Sequence, residues 1–362
     1  MQSETPLVSI VVPAYNAERF LRASLDSIIG QTYPAIEILV MDDASTDGTG
    51  EIARSYGDRI TYHRQPQNRG QFGNVDDGVA RARGKYIAVY HADDVYLPEI
   101  VARETAFLEA HPGAGAVFAI EIFIDGDGRE RGRLELPPEV HGRELLDYAT
   151  VLNTLLCYKN RIFCGPSSMI RASVYRSIGP YRGREFPVAG DFEMFLRIAR
   201  KHPVGILDQH LMRYRWGHGN ADQMDRRLRT TEEPYFSIMD EHLREGGLSM
   251  ARRDALAAHE AHRAEDALMR SVNCYILDRR ASMKPILREI SLRQILGSPK
   301  VQRYRLSALY LGLLALARLP YVPAVARLFR NRWYASTGGK TIVRQGGSQS
   351  LPREATAGLK LG

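Results

Sequence analysis

A chain of 362 residues with 44% hydrophobic side chains is long enough to bury the core of one large domain and a substantial appendage. Its 49 Lys and Arg against 42 Asp and Glu give a formal charge of +7, but eleven of the basic residues lie between 290 and 353, where there is no Asp or Glu; the remaining 38 face 42 acidic residues, a net of −4. Three cysteines, Cys157, Cys164 and Cys274, without CxxC spacing exclude a disulfide framework and a structural zinc ribbon, and a start without a basic n-region gives no secretory signal, so the expectation is a cytoplasmic protein with reduced thiols.

Residues 7–13 (LVSIVVP) form a short β-branched run that predicts a buried strand, and Phe20, Leu21, Leu25, Ile28 and Ile29 then fall at helical spacing over 17–31. The alternation continues with a strand over 36–41, a helix over 46–56, a strand over 60–63, a helix over 73–82, a strand over 86–90 and a helix over 98–110. Strand and helix alternating at this spacing predict a parallel α/β sheet covered on both faces. After about 115 the pattern becomes mixed. A strand over 116–124 ends at the turn signal Asp125-Gly126-Asp127-Gly128, further strands fall at 165–172 and 204–216, and a helix lies around 192–201. Residues 221–289 read as charged and helical, and the Gly/Ser-rich stretch past 338 reads as a disordered tail. The resulting division is 1–115 as a nucleotide-binding half, 116–220 as an acceptor half, 221–335 as a basic helical region and 336–362 as a tail.

The first strand runs into Ala14-Tyr15-Asn16 with no GxGxxG, which argues against a dinucleotide-binding crossover. The tip of the second strand carries Asp42-Asp43. Ligands of open α/β sheets sit at the carboxyl ends of strands, so Tyr15, Asp43 and the later Asp93-Asp94 can share one crevice, with an aromatic ring for stacking and a carboxylate for a base N–H. Helix capping is the competing explanation for the Asp runs. It accounts for one of Asp93 and Asp94, whereas two adjacent carboxylates at a strand end fit a divalent metal bound to a diphosphate.

The segments VSIVVPAYNAERFLRASLDSIIGQTYP, ILVMDDASTDGT, NRGQFGNVDDGVARARGKYIAVYHADD and GDFEMFLRIAR occur in the order seen in glycosyltransferase family 2, and residues 5–220 resemble that family. The resemblance implies an α/β GT-A fold and an inverting, non-processive, metal-dependent sugar transfer from a UDP- or dTDP-sugar, in a bacterial-type surface glycan or glycolipid pathway. Residue by residue, it implies that Pro13 and Tyr15 form the first nucleotide loop and that Asp43 reads the uracil imide. Asn68 and Gly70 match an NxG segment, Asp93 lies nearer the ribose, and Asp94 ligates Mn²⁺ or Mg²⁺. Asp191, in Gly190-Asp191-Phe192-Glu193, matches the base that removes the acceptor hydroxyl proton, with Glu193 as the alternative. His218 matches a histidine closing over the metal or diphosphate, and Ser167 and Ser168 match a stretch on the acceptor side. One departure is that Gly73 precedes Asn74 where many members carry Arg-Asn, which leaves Arg69 or Arg81 as the basic contact to the diphosphate.

Three other patterns carry less. Asp125-Gly126-Asp127 is a literal DxD in a hairpin turn; His259 and His262 lack HExxH order and read as a solvated helix face; Phe329-Arg330-Asn331-Arg332-Trp333 lacks the Gln of a processive synthase QxxRW signature. Residues 306–326 are almost wholly apolar but broken by Arg318, Pro320 and Pro323, which argues against one transmembrane helix. With flanking arginines and aromatics, residues 303–333 suit a broken helix in the interface of an anionic membrane, at the inner face of the plasma membrane, the alternative being a helix pair packed on the catalytic domain or in a homo-oligomer. No helix-turn-helix, zinc or RNP signature points to nucleic acid. The acceptor is then expected to be a glycan or lipid-linked glycan. The competing functional reading is a catalytically silent nucleotide-sugar-binding or scaffold protein of the same fold.

Overall fold

The computed structural model describes residues 5–216, 228–297 and 300–337. Alternation along the first strand decides how the layers stack. In β1 (Val8–Ala14), Val8, Ile10 and Val12 point into one core and Val11 into the other. Helix α1 (Leu21–Ile29) buries Leu21, Ser24, Leu25 and Ile28, an i, i+3, i+4, i+7 stripe, and each such Leu or Ile contributes about 2 kcal/mol by leaving water. β2 (Ile36–Asp42), α2 (Thr49–Arg54), β3 (Thr61–Arg64), α3 (Gly70–Arg81) and β4 (Tyr86–Val89) complete the first half. Helix α2 is shorter than the 46–56 predicted because residues ahead of it bond to the loop after β1: Thr46 N–H donates to Asn16 Oδ1 at 2.8 Å and Gly48 N–H to Glu18 Oε2 at 3.1 Å.

The second half contains β5 (Val95–Tyr96), α4 (Ile100–Ala110), β6 (Ala116–Ile124), β7 (Glu130–Arg133), β8 (Leu145–Leu146), α5 (Tyr148–Tyr158), β9 (Ser168–Arg171), α6 (Ala172–Ile178), α7 (Gly190–Lys201) and β10 (Val204–Arg215). The sheet order is β3-β2-β1-β4-β9-β6-β10-β5, with β7 on β6 and β8 on β10. β1 to β4 pair in parallel as predicted, and β6 pairs in parallel with β10. The central departure from a parallel sheet is β9, which runs antiparallel between β4 and β6; β5 and β8 on β10 and β7 on β6 are antiparallel too. Its leading end, Ser168, therefore sits opposite Val89 at the end of β4 and points toward the edge at which β1 and β2 also finish. The chain has the α/β GT-A architecture expected, a mixed sheet flanked by helices.

Helices α8 (Pro234–Arg244), α9 (Arg253–Ile276), α10 (Met283–Glu289), α11 (Leu292–Leu296), α12 (Lys300–Leu316) and α13 (Pro323–Thr337) follow. The sheet's core runs on through Tyr235, Phe236, Ile238 and Met239 of α8 to Ala255, while a separate cluster starts at Ala264 and takes in Leu306, Leu313 and Ala326. The boundary read at 220 lies outside the described residues, as does the tail past 338. His259 corrects the expected solvated face: it is buried between Tyr235 and Phe236, and desolvation pushes its pKa down to about 4. His262 bonds the Cys157 carbonyl at 2.8 Å. The three cysteines are unpaired.

Helices α12 and α13 are separated at the break containing Pro320, and no described helix is long and apolar enough to cross a membrane. The pair packs on α9 through Leu306, Leu313 and Ala326. Its other side leaves Tyr304, Leu311, Leu319, Val322 and Leu328 between 41% and 77% exposed.

Candidate active site

Two loops are stitched together at the tips of β1 and β2. Asn16 N–H donates to Ser45 Oγ at 3.0 Å, and Ala17 N–H to Thr49 Oγ1 at 2.7 Å. Pro13 is still in the β1 ladder opposite Met41, and the Tyr15 ring is left 53% exposed, accessible as a stacking surface. The two aspartates divide their work. Asp42 is wholly buried and fully engaged, accepting from Tyr62 Oη at 2.5 Å, Arg64 Nη1 at 3.2 Å and Ser45 N–H at 2.8 Å. Asp43 accepts from Arg69 N–H at 2.7 Å, which ties it to the loop that opens α3, and burial raises its carboxyl pKa.

That loop contains the Asn68 and Gly70 pair. Asn68 Oδ1 accepts from Gly70 N–H at 2.9 Å, and Gly70 sits at φ +76°, a left-handed conformation that glycine takes without a Cβ penalty. The two cations considered for the diphosphate part here. Arg69 forms an ion pair with Asp77, and Arg81 is at the opposite end of α3. The arginine beside Asp93 and Asp94 is instead Arg215, at the end of β10. It is 7% exposed; its N–H donates to Asp94 Oδ1 at 2.7 Å, its Nε to the Asp93 carbonyl at 2.8 Å, and its Nη1 to the Asp125 carbonyl at 2.9 Å. The guanidinium stacks over Phe20 at 4.5 Å. The literal DxD is turn chemistry: Asp125 Oδ1 accepts from Asp127 N–H and Arg129 N–H, both at 2.9 Å.

Asp94 is 1% exposed, and its Oδ2 is buried without a hydrogen-bond partner. Burial, then the neighbouring Asp93 charge, raise its pKa well above the usual carboxylate range, against the Arg215 N–H and guanidinium. An orphaned buried carboxylate oxygen is costly, and a divalent cation would satisfy it. His91, Asp93 and Asp94 each offer a ligand atom, all within 4.8 Å of one another. Sequence reasoning assigned no role to His91. The signal available was its place three residues before Asp94 at the end of β4.

Asp191 lies in the first turn of α7, whose N-cap is Ala189, so it is not the capping residue. Its Oδ1 accepts from Phe192 N–H at 2.8 Å; desolvation raises its pKa, opposed by that N–H and by His91. Glu193 faces elsewhere, 1% exposed and ion-paired with Arg182 and Arg197 at 3.2 and 2.7 Å. Gly165 is shaped around Asp191: a Cβ there would meet its Oδ2 at 2.6 Å. Asp191 also borders a cleft of about 440 Å³ lined by Lys159, Arg161, Val188, Glu233 and Tyr235. Ser167 and Ser168 stand differently from their expected acceptor-side place. Ser167 donates to the Ala119 carbonyl at 2.7 Å and is wholly buried, and Ser168 is 1% exposed within the sheet, because β9 is threaded between two strands. His218 lies outside the described residues.

Comparisons with known proteins bear on the family and the fold. The sequence profile of Glycosyl transferase family 2 matches residues 9–179. The putative glycosyltransferase EpsE of Bacillus subtilis is 32% identical over 197 residues, 53% of this chain and 66% of that protein. An uncharacterized glycosyltransferase of Haemophilus influenzae is 30% identical over 220 residues, 59% of this chain and 67% of the relative. Residues 1–349 of S. aureus TarS, solved in complex with UDP-GlcNAc, superpose with a TM-score of 0.57 at 17% identity, covering 91% of this chain and 90% of that one, a likeness of fold. With a sequence match that runs from β1 through α6 and a shared sheet plan, the chain belongs to glycosyl transferase family 2 and is a glycosyltransferase.

Proposed function

We propose that the enzyme transfers a sugar, with inversion at the anomeric carbon, from a UDP- or dTDP-sugar to a hydroxyl of a glycan or lipid-linked glycan. The observation that carries this is the pairing, at one sheet edge, of Asp94 with an unpartnered buried oxygen and Asp191 with a raised pKa. Tyr15 offers the base a ring to stack on, Asp43 a carboxylate for the imide N–H, and Asn68 and Gly70 bring Arg69 N–H to Asp43. Asp93 takes the ribose side. Asp94 would hold Mn²⁺ or Mg²⁺, with His218 as a further candidate, and a bound cation there would neutralise charge developing on the leaving diphosphate.

Asp191 accepts the proton of the acceptor hydroxyl as that oxygen attacks from the face opposite the diphosphate. Its raised pKa makes it a stronger base once ionised. The cleft beside Lys159 and Val188 is the acceptor's approach, which moves that role away from Ser167 and Ser168. Substituting Asp191→Asn and Asp94→Ala, with product configuration read by proton NMR, tests the assignment: donor turnover unchanged in both variants, or a retained anomeric configuration, overturns it.

The exposed side of α12 and α13 supports attachment to an anionic membrane from the cytoplasmic side. Five large apolar side chains stand in water there, with Arg305, Arg318, Arg327 and Arg330 exposed beside them, in a stretch without acidic residues. This combines the two alternatives read from the sequence, since one side packs on protein and the other faces outward. Flotation with phosphatidylglycerol vesicles is the check, and recovery of the full chain in the soluble fraction at low salt overturns it.

A further inference from the structure

Among the described residues, His91, Asp93 and Asp94 are the group of His, Cys, Asp or Glu whose ligand atoms come close enough to hold an ion. Two features set His91 apart from a loop histidine that happens to be near. Its main chain is fixed on both sides: its N–H donates to Tyr96 Oη at 2.6 Å, and its carbonyl accepts from Ser24 Oγ at 2.9 Å. Tyr96 is itself immobilised, wholly enclosed and stacked on Tyr90 with ring centroids 4.0 Å apart, and Tyr90 donates to Glu104 at 3.0 Å. The imidazole thus hangs from a rigid point, as a ligand must if binding is not to be offset by ordering.

The second feature is the unpaired, buried Oδ2 of Asp94. Ligands on opposite sides of one ion, with bonds of about 2.1 Å, stand about 4.2 Å apart. The ligand atoms here lie within 4.8 Å of one another, close to that spacing. His91 also lines a small cavity with Asp191, Gly165 and Phe195, so pairing with Asp191 is the competing role for its ring.

Resting on the assignment of Asp94 as the metal carboxylate, we infer that His91 supplies a nitrogen ligand to the same cation and biases the site from Mg²⁺ toward Mn²⁺ and other transition ions. The physical basis is donor softness. Mg²⁺ favours oxygen donors and keeps its waters, whereas an imidazole raises affinity along the series from Mn²⁺ toward Cu²⁺.

The test uses the full chain and Mn²⁺ as probe, alone and with UDP, read by pulsed electron paramagnetic resonance for ¹⁴N coupling and by titration for affinity. Wild type is expected to show ¹⁴N coupling that is lost in His91→Asn and in His91→Gln and retained in His218→Asn. In the His91 variants the preference for Mn²⁺ over Mg²⁺ narrows about tenfold. Metal-free melting midpoints equal to wild type identify the variants that keep the fold. Mn²⁺ binding that requires Asp94 but shows no ¹⁴N coupling, or coupling that neither His91 substitution changes in number or strength, overturns the role of His91 and leaves the carboxylate site standing. Mn²⁺ binding that persists unchanged in Asp94→Ala overturns the carboxylate site, and the inference falls with it.

Discussion

The strand-tip edge and the C-terminal helix pair break the ordinary rules of burial in opposite senses. At the strand tips, polar atoms are enclosed without partners, Asp94 Oδ2 foremost. On α12 and α13, apolar side chains stand in water without cover, Tyr304 at 77% and Leu311 and Leu328 at 65% each. Neither state is favourable for an isolated chain. The comparison teaches that the two regions suit different complements: a small positive charge at the first, a broad apolar surface at the second. A region that contradicts the physics of folding is where something besides folding is being served.

Removing the two enclosed carboxylates at the strand tips attacks the first half of the comparison and is expected to have the largest effect. Asp191→Asn should lower kcat by about 10³-fold or more with little change in donor affinity, measured by transfer kinetics and donor titration. Asp94→Ala should abolish metal-dependent donor binding in the same assays. Gly165→Ala comes next: the new methyl must displace the Asp191 carboxylate, and about a hundredfold loss of turnover is expected with the melting midpoint close to wild type. A loss of folding in place of a loss of turnover would mean that Gly165 serves packing.

The second half is sharpened by changing the outward face alone. Leu311→Asp and Leu328→Asp each replace an exposed side chain, so stability should hold within about 0.5 kcal/mol while the vesicle-bound fraction falls at least tenfold. Unfolding would show that the face is internal to some assembly.

The smallest effect belongs to Glu104, a buried carboxyl away from the strand tips. It is wholly enclosed, accepts from Tyr90 Oη, has one oxygen unpartnered, and burial raises its pKa well above the usual range. The folded state therefore holds a proton that the unfolded chain has already released, so wild-type stability should fall as pH rises from the ordinary Glu range through the raised pKa. Glu104→Gln should flatten that slope in chemical denaturation series, with a difference of about 1 kcal/mol or less near neutrality.

Legibility in the sequence followed the strength of periodic signals. β1 to β4 were readable because β-branched runs alternated with amphipathic helices, and β6 was located to the residue, Ala116–Ile124. α5 lies in a stretch where no element was predicted because Val151 to Leu156 are all buried, which erases the one-sided stripe that marks a surface helix. β5 is two residues long and exists through pairing with Arg213 and Met212, a contact far away in sequence. At the site, Asp94 and Asp191 were legible from adjacent carboxylates and a helix start. Gly165 and Arg215 were not, since their importance comes from a 2.6 Å approach and a bond across 121 positions. Ser167 failed because small polar residues look alike whether they face a cleft or bind the main chain of a neighbouring strand.

The reversed strand β9 separates what the enzyme can change from what it must keep. Donor-facing loops leave the trailing ends of β1, β2 and β4, whereas the segment ending at Gly165 arrives at the same edge at the leading end of a strand. Within 125–165, β7 and β8 belong to the sheet and α5 to the core, so length can change at the exposed turn around 141–144 with β1 to β4 undisturbed. For an engineer this is a boundary: substitutions at Lys159 and Arg161, which line the cleft beside Asp191, should alter which hydroxyl arrives there while β1 to β4 keep their sequence.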